Sequence, residues 1–252
     1  MNRNEAPDAT SADSARPVVS VVIPTLDETA YLARTLESLG PTPAARREAG
    51  IEIVLADGGS RDGTPGLAKE LGVDRVVVSP AGRARQLRAG VSVASGELIL
   101  FLHADTRLEP GAIDELREVM KKPSVSGGAF RLQIDARRWW TWLVAKLVNL
   151  RSRAFGLPYG DQGIFVRRSV LDQMGGVPEL PIMEDVELAR QMRRHGRLRL
   201  LNSAAITSGR RWEANGLLRT TLVNWSAVLM YRFRVPPRLI CRFYERGLRR
   251  RR

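Results

Sequence analysis

The chain of 252 residues contains a single cysteine, Cys241, so no disulfide can form within it. A lone thiol fits a reducing compartment and excludes a cystine-stapled scaffold. No run approaches the ~18 apolar residues that a membrane-spanning helix needs. The first sixteen residues lack the apolar centre of a signal peptide. With Glu5, Asp8 and Asp13 among them, they read as a disordered tail. The protein is therefore expected in the cytoplasm or peripherally on the cytoplasmic face of a membrane. Zinc-ligand spacings, an aromatic RNA-binding signature and a basic zipper are all missing, so only the charge points toward nucleic acid, and no nucleic-acid partner is expected. There is no internal repeat.

What the chain has is apolar content and positive charge. It is 44% hydrophobic, enough to build the core of one large domain or of one domain with an appendage. The net charge is +13 and the pI about 11.1. Such a balance favours a polyanionic partner, whether nucleic acid, anionic lipid or a phosphorylated ligand. The charge is uneven: Arg232, Arg234, Arg238, Arg242, Arg246 and arginines 249–252 crowd the C-terminus. Most such runs are solvated tails. Arg238, Arg242 and Arg246, however, recur every fourth residue and would form one basic face toward an anionic membrane surface.

Apolar periodicity predicts strands at 18–23, 51–56, 75–79 and 97–103. Helices are predicted at 28–39, from the turn at 57–64 to about 71, at 83–94 and at 110–121, with 40–50 a loop. Strands alternating with helices in this way give βαβ units and a mostly parallel sheet. Further strands are expected at 127–134, 163–167 and 197–201, and further helices at 139–155, 183–195 and 217–233. Pro236 and Pro237 precede a short basic terminal helix. The 139–155 segment, with Trp139, Trp140 and Trp142 ahead of interleaved leucines and bases, fits a core-facing helix with a solvated side. It also fits an interfacial helix with aromatic anchors.

Two stretches carry chemistry. The apolar run 97–102 ends in His103-Ala104-Asp105. Residues two apart on extended backbone point the same way. An imidazole and a carboxylate would then project together from the carboxyl end of a central strand, where open α/β sheets bind ligands. Oxygen ligands there suit Mg²⁺ or Mn²⁺ holding a phosphate. Taken alone, the triplet is also a strand end and a turn before Pro110. The second stretch is Asp57-Gly-Gly-Ser-Arg-Asp-Gly-Thr64, between a strand and a helix. Its glycines admit close backbone approach, and Asp57 can accept from a nucleobase N–H or a ribose hydroxyl. An Asx turn with an N-cap at Asp62 or Thr64 fits equally. It is not a P-loop, because no Gly-Lys-Ser/Thr ends it. After the first strand, where a Rossmann dehydrogenase carries its glycines, stands Pro24-Thr25-Leu26-Asp27-Glu28.

The ordered set of Val19-to-Glu28, Asp57-to-Thr64, Phe101-Leu-His-Ala-Asp-Thr106 and Glu184-Asp185 resembles glycosyltransferase family 2. The resemblance is to its small bacterial single-domain branch, and it extends to Gly82-Arg-Ala-Arg-Gln86, Gly160-Asp-Gln-Gly163 and Ser208-Gly-Arg-Arg-Trp212. It covers roughly residues 18–212. It implies a GT-A fold: an α/β, Rossmann-like, mostly parallel sheet flanked by helices. The domain would run from 17 to 212, with a nucleotide-binding half at about 17–122 and an acceptor-binding half at about 123–212. A basic helical extension, 213–252, would follow.

The implied activity is a metal-dependent inverting, hexosyltransferase-like transfer from a UDP- or GDP-linked donor to a small-molecule, lipid-linked or hydrophobic acceptor. By the same resemblance Pro24, Thr25, Glu28, Asp57 and Ala104 would contact the nucleotide, with Arg83 and Arg85 near its phosphates. His103 and Asp105 would stand at the family's Asp-x-Asp site for Mn²⁺ or Mg²⁺. His103 departs from that pattern, as does Gly58, where a second aspartate is usual. Arg210 and Arg211 offer guanidinium forks to the diphosphate. Asp161, Gln162 and Trp212 would meet sugar or acceptor. Asp185 would be the general base, with Glu184 beside it. First-turn acids are also favoured simply by the helix dipole. A nucleotidyltransferase on a related scaffold would want a glycine-rich basic loop after the first strand, which residues 24–28 do not supply.

Overall fold

The computed structural model describes residues 18–135, 139–155, 158 and 160–248. The expected tail, Arg137, Arg138 and arginines 249–252 lie outside the described residues. In chain order the elements are β1 (Val19–Thr25), α1 (Thr29–Leu39), α2 (Pro43–Glu48), β2 (Ile51–Asp57), α3 (Thr64–Glu70), β3 (Arg75–Val78), α4 (Arg83–Val93) and β4 (Leu98–Phe101). There follow β5 (Thr106–Leu108), α5 (Ala112–Met120), β6 (Val125–Asp135), α6 (Trp139–Phe155), a 3-10 turn at Gly160–Gln162, β7 (Ile164–Arg167), α7 (Arg168–Gln173) and α8 (Glu184–His195). The chain closes with β8 (Arg197–Ser208), α9 (Arg210–Asn215), α10 (Leu217–Arg232) and α11 (Pro237–Leu248).

The strands form one eight-stranded sheet of order β3-β2-β1-β4-β7-β6-β8-β5. β3, β2, β1 and β4 run parallel, while β7 is antiparallel to both β4 and β6. The apolar runs of β1 and β4 are buried on both faces, and alternation splits them between two cores. Val19, Val21, Leu98 and Leu100 face Leu32 and Leu36 of α1 and Leu116 of α5. Val22, Ile99 and Phe101 face Leu87 of α4 and Leu188 and Met192 of α8. The chain order reverses between β1 and β4, the switch point at which α/β sheets leave a crevice.

Several local expectations are corrected. Residues 40–50 hold helix α2, which starts where the Thr42 hydroxyl accepts the Ala45 amide at 3.1 Å and Pro43 sets the first turn. The strand expected at 97–103 ends at Phe101. Asp105 and His103 are therefore presented by a turn, closed by the Thr106 amide on the His103 carbonyl at 3.1 Å, rather than by strand alternation. β5 and the long C-terminal half of β8 pair with each other, and β6 pairs along the other side of β8. That pairing partner is remote in sequence and overrides weak local propensity. Helices α7 and α9, each 6 residues long, lacked a resolvable period. Gly128 permits the tight β6 contact: a β-carbon there would run into the Arg199 carbonyl oxygen of β8.

Candidate active site

The carboxyl ends of β1 and β2 are tied together by side chains. The Thr25 hydroxyl donates to Asp57 at 3.1 Å, and the amides of Gly59 and Ser60 donate to the other Asp57 oxygen at 2.8 and 2.9 Å. Burial alone would raise the Asp57 carboxyl, but these donors and the Ser60 hydroxyl hold it below its ordinary value. Asp57 thus organises the turn it begins. Asp62 does the same one step on, accepting from Thr64 and from the Thr29 amide. Gln86, on α4, buttresses the edge from beneath by donating to the carbonyls of Thr25 and Ala56 at 2.7 and 3.0 Å. Its place in a quoted motif was the only signal available for it.

Glu28 and Asp105 are bridged by one guanidinium. Arg210 reaches Glu28 Oε1 at 2.6 Å and Asp105 Oδ2 at 2.9 Å, and lies 4.5 Å over the ring of Tyr31. Burial pushes the Glu28 carboxyl up, against the pull of Arg210, and its Oε2 is buried without a hydrogen-bond partner. A buried orphan oxygen at a sheet crevice is the sort of group a ribose hydroxyl or base N–H satisfies. Tyr31 gave no sequence signal beyond its place on α1.

The second cluster joins α4, the turn after β4 and the start of α8. Arg83, the first residue of α4, pairs with Glu184 and lies 3.0 Å from Asp185 Oδ2. Its Nη1 is 3.2 Å from His103 Nε2. Asp185 also accepts the amides of Gly160 and Val186, each at 2.8 Å. Burial would raise Asp185, yet Arg83 and those amides outweigh it and keep the carboxylate ionised. Burial pushes Glu184 the other way, upward. The residue before them, Met183, has φ of 66°, a left-handed conformation that costs energy for a side chain of this size. His103 is driven down to about 3 by burial and by Arg83 and Arg211. It is therefore a neutral imidazole in an electropositive recess suited to phosphate oxygens.

The donor set bears on a cation. Among the described residues no three His, Cys, Asp or Glu side chains come close enough to hold one alone. Asp105 presents one carboxylate, and Mg²⁺-like ions are commonly held by one or two carboxylates plus substrate phosphates and water. Asp105 thus fits a cation that arrives with a diphosphate. Arg210 already holds Asp105 Oδ2, so a cation would meet the other carboxylate oxygen or displace that guanidinium, as it would have to displace Arg83 from His103 Nε2.

A cleft of about 430 Å³ opens from this cluster between α6, α10 and α11. Arg83, His103, Asp161, Asp185, Arg211 and Trp212 line it. Burial and the charge of Asp185 raise the Asp161 carboxyl, and its Oδ1 is without a hydrogen-bond partner. The Trp212 indole N–H is likewise buried and unpaired, whereas Arg211 donates to the Tyr244 hydroxyl at 3.3 Å. Pro24 sits beside a smaller cavity of about 20 Å³ with Arg83 and His103. Ala104 offers its carbonyl to the Thr35 hydroxyl at 2.7 Å. Two expected residues are not brought in. Gln162 is fully buried, holding the Phe130 carbonyl and the Ser152 hydroxyl. Arg85 is exposed and faces Glu179 at 3.9 Å.

Residues 20–175 match the family model described as glycosyl transferase family 2. An undecaprenyl-phosphate 4-deoxy-4-formamido-L-arabinose transferase of Pseudomonas aeruginosa is 32% identical over 215 residues, covering 73% of this chain and 62% of that protein. The chain thus spans less than two thirds of the length of that relative. A mannosyltransferase from Pyrobaculum calidifontis, solved with GDP-Man and Mn²⁺, superposes with a TM-score of 0.64 at 19% identity, over 85% of this chain and 62% of that one. Glucosyl-3-phosphoglycerate synthase from Mycobacterium tuberculosis, solved with Mn²⁺, UDP and phosphoglyceric acid, gives 0.57 at 19% identity, over 86% and 79%. Both likenesses are of fold, and the fold they share is GT-A.

Proposed function

The chain belongs to glycosyl transferase family 2, and from that premise we propose that it is an inverting glycosyltransferase that takes a sugar from a UDP- or GDP-linked donor. One observation carries the reading: the ionised carboxylate of Asp185 stands 3.0 Å from a guanidinium that also reaches the switch-point His103. A base and an anion-binding recess therefore adjoin at the crevice of the sheet. The nucleotide lies along Pro24, Thr25, Glu28, Asp57 and Ala104, in the half before about residue 122. Arg83, Arg210 and Arg211 face the diphosphate. Asp105 would hold Mn²⁺ or Mg²⁺, which would supply positive charge against the leaving phosphates. The acceptor enters from the cleft side, past Asp161 and Trp212.

In the reaction the acceptor hydroxyl gives its proton to Asp185, and its oxygen forms the new bond to the anomeric carbon from the face opposite the diphosphate. The anomeric C–O bond breaks, and the nucleoside diphosphate leaves with the electron pair. Arg83 screens the charge on both sides of that displacement. For the acceptor we propose a lipid-linked or other hydrophobic molecule at the cytoplasmic face of a membrane. The name of the P. aeruginosa relative, which includes undecaprenyl phosphate, supports the lipid character of the acceptor alone, because a phosphate oxygen attacks as the anion and gives Asp185 no proton. The test is thermal shift with UDP, GDP and Mn²⁺ against a duplex oligonucleotide, followed by slow hydrolysis of UDP- and GDP-sugars. Stabilisation by nucleotide with Mn²⁺ and sugar release is the expected result. Stabilisation by the duplex alone would replace this reading with nucleic-acid binding, for which the charge of +13 is the one favourable observation.

A further inference from the structure

Helix α10 has no polar face. Its inner side, Thr220, Val223 and Ala227, is buried, and Val228, Met230 and Tyr231 pack with α11 and the start of α8. Its outer side carries Leu218, Leu222, Trp225 and Leu229, continued by Phe233, each 55–75% exposed. Their spacing of four, three, four and four residues keeps them on one stripe. A helix at the surface of a soluble domain buries one stripe and solvates the other, whereas this one leaves a second apolar stripe outside.

Helix α6 repeats the pattern. Ala145 and Thr141 are buried, while Trp142, Leu143, Leu147 and Leu150 are exposed. Among the described residues, eleven of the fourteen exposed large apolar side chains lie on α6, on α11 or along the α10 stripe. The cleft opens between these helices, with Val144 and Val148 on one wall and Thr221 and Trp225 on the other.

The charge on α6 and α10 has one sign, and on α11 three exposed arginines outnumber the single exposed acid, Glu245. Neither α6 nor α10 contains an aspartate or glutamate. Lys146 lies 4.9 Å over the Trp142 ring, and Arg153, Arg219 and Arg232 are exposed. On α11, Arg238, Arg242 and Arg246 are exposed beside Leu239 and Phe243. Two copies pairing through such faces would bring cations against cations. An anionic bilayer answers both features, taking the apolar stripe at the acyl boundary and the cations at the headgroups.

We propose that the outer faces of α6 and α10, with the basic face of α11, dock the protein on an anionic bilayer, so that the cleft opens at the membrane surface. That the cleft then receives a lipid acceptor rests on the glycosyl transfer reading. The docking itself does not.

The test is vesicle flotation of the full chain with pure phosphatidylcholine and with phosphatidylcholine containing phosphatidylglycerol, with neither donor nor acceptor present. Wild type should float with the anionic vesicles and much less with neutral ones. The triple variant L218Q/L222Q/L229Q removes apolar surface without adding charge and touches no residue assigned to the site. It should lose about 100-fold in partitioning, while its melting temperature and its slow donor hydrolysis stay at wild-type level. The pair L147Q/L150Q on α6 should weaken binding in the same direction and serves if the first variant is unstable. Flotation of both variants equal to wild type would overturn the proposal. So would a wild-type dimer that floats with no vesicle and that the triple variant dissociates, which would make the stripe a contact between copies. Flotation that behaves as expected, in a protein that hydrolyses no nucleotide sugar, would leave the docking intact and sink the glycosyl transfer reading alone.

Discussion

Replacing Asp185 by Asn keeps the volume and removes the basicity. The asparagine oxygen still accepts the Gly160 amide, at 2.8 Å in the wild type, so the 3-10 turn before β7 stays seated. The ion pair with Arg83 at 3.0 Å is lost, but Arg83 keeps Glu184 as its partner. The stability cost is then one charge-assisted contact in a network that remains paired, on the order of 1 kcal/mol and a few degrees in melting temperature. The catalytic cost is larger. A positioned base contributes about 10²–10⁴-fold, or roughly 3–5 kcal/mol of barrier. Turnover should fall by that factor while UDP or GDP affinity persists.

The assay is steady-state transfer, or donor hydrolysis where the acceptor is unknown, run beside thermal melting on one preparation. If Asp185 merely caps α8, the melting temperature falls and the rate per folded molecule stays within about threefold of wild type. That outcome removes Asp185 from the chemistry. The pH profile adds an independent reading. Because Arg83 and the two amides hold the carboxyl below its ordinary value, the acid limb due to Asp185 belongs below the usual carboxylate range. A rate that falls between pH 7 and pH 5 with this residue as its cause contradicts the structure.

Three further outcomes follow from single contacts. Asp105→Ala should cost at least about tenfold in affinity for UDP or GDP and abolish its Mn²⁺ dependence, with the fold retained, because Arg210 keeps Glu28; calorimetric titration with and without Mn²⁺ checks this, and unchanged dependence removes Asp105 as ligand. His103 is held neutral to about pH 3, so the unfolded chain takes up its proton first as pH falls through 6.5 and stability drops from there toward 3; urea midpoints at pH 7 and pH 5 should differ less in His103→Gln than in wild type. Gly128→Ala should destabilise by about 3 kcal/mol, because the new methyl group drives into the Arg199 carbonyl and comes within 2.7 Å of the Phe165 ring; a calorimetric melting scan reads it, and a wild-type temperature would show that β6 and β8 can part freely.

Much of the fold was legible, because its cause is local. The two-faced burial of β1, β2 and β4 shows as apolar runs, broken in β1 only by Ser20 before Pro24 and in β2 only by Glu52 before Asp57, and these two buried polar groups pair with each other. Even α2 carried its signal, the Thr-Pro pair that starts it, inside a stretch whose six residues were too short for a period. The strands β5 and β8 did not, since their pairing exists only once the chain has returned 101 residues later, as the Thr106–Thr207 contact measures.

The site divides along the same line. That Glu184 and Asp185 open a helix is a statement about adjacent residues, and it was readable. That Asp185 is ionised, that His103 is neutral and that Glu28 keeps an orphan oxygen are statements about partners far along the chain. Arg83 meets Glu184 across 101 positions, and Arg210 meets Glu28 across 182. Gln162 shows the cost of reading a motif without those partners. Between two glycines it looked like an exposed amide for a sugar, but Ser152 and Phe130 take its hydrogen bonds inside the core. Composition told that cations are abundant. Only the packing of α4, α8 and α9 around one crevice buries the His103 imidazole and sets Arg83, Arg211 and Arg210 around it, so that burial first and the cations second keep it neutral. The residue types that set the chemistry of the crevice are thus the arginines brought to the switch point as much as the acids they pair with.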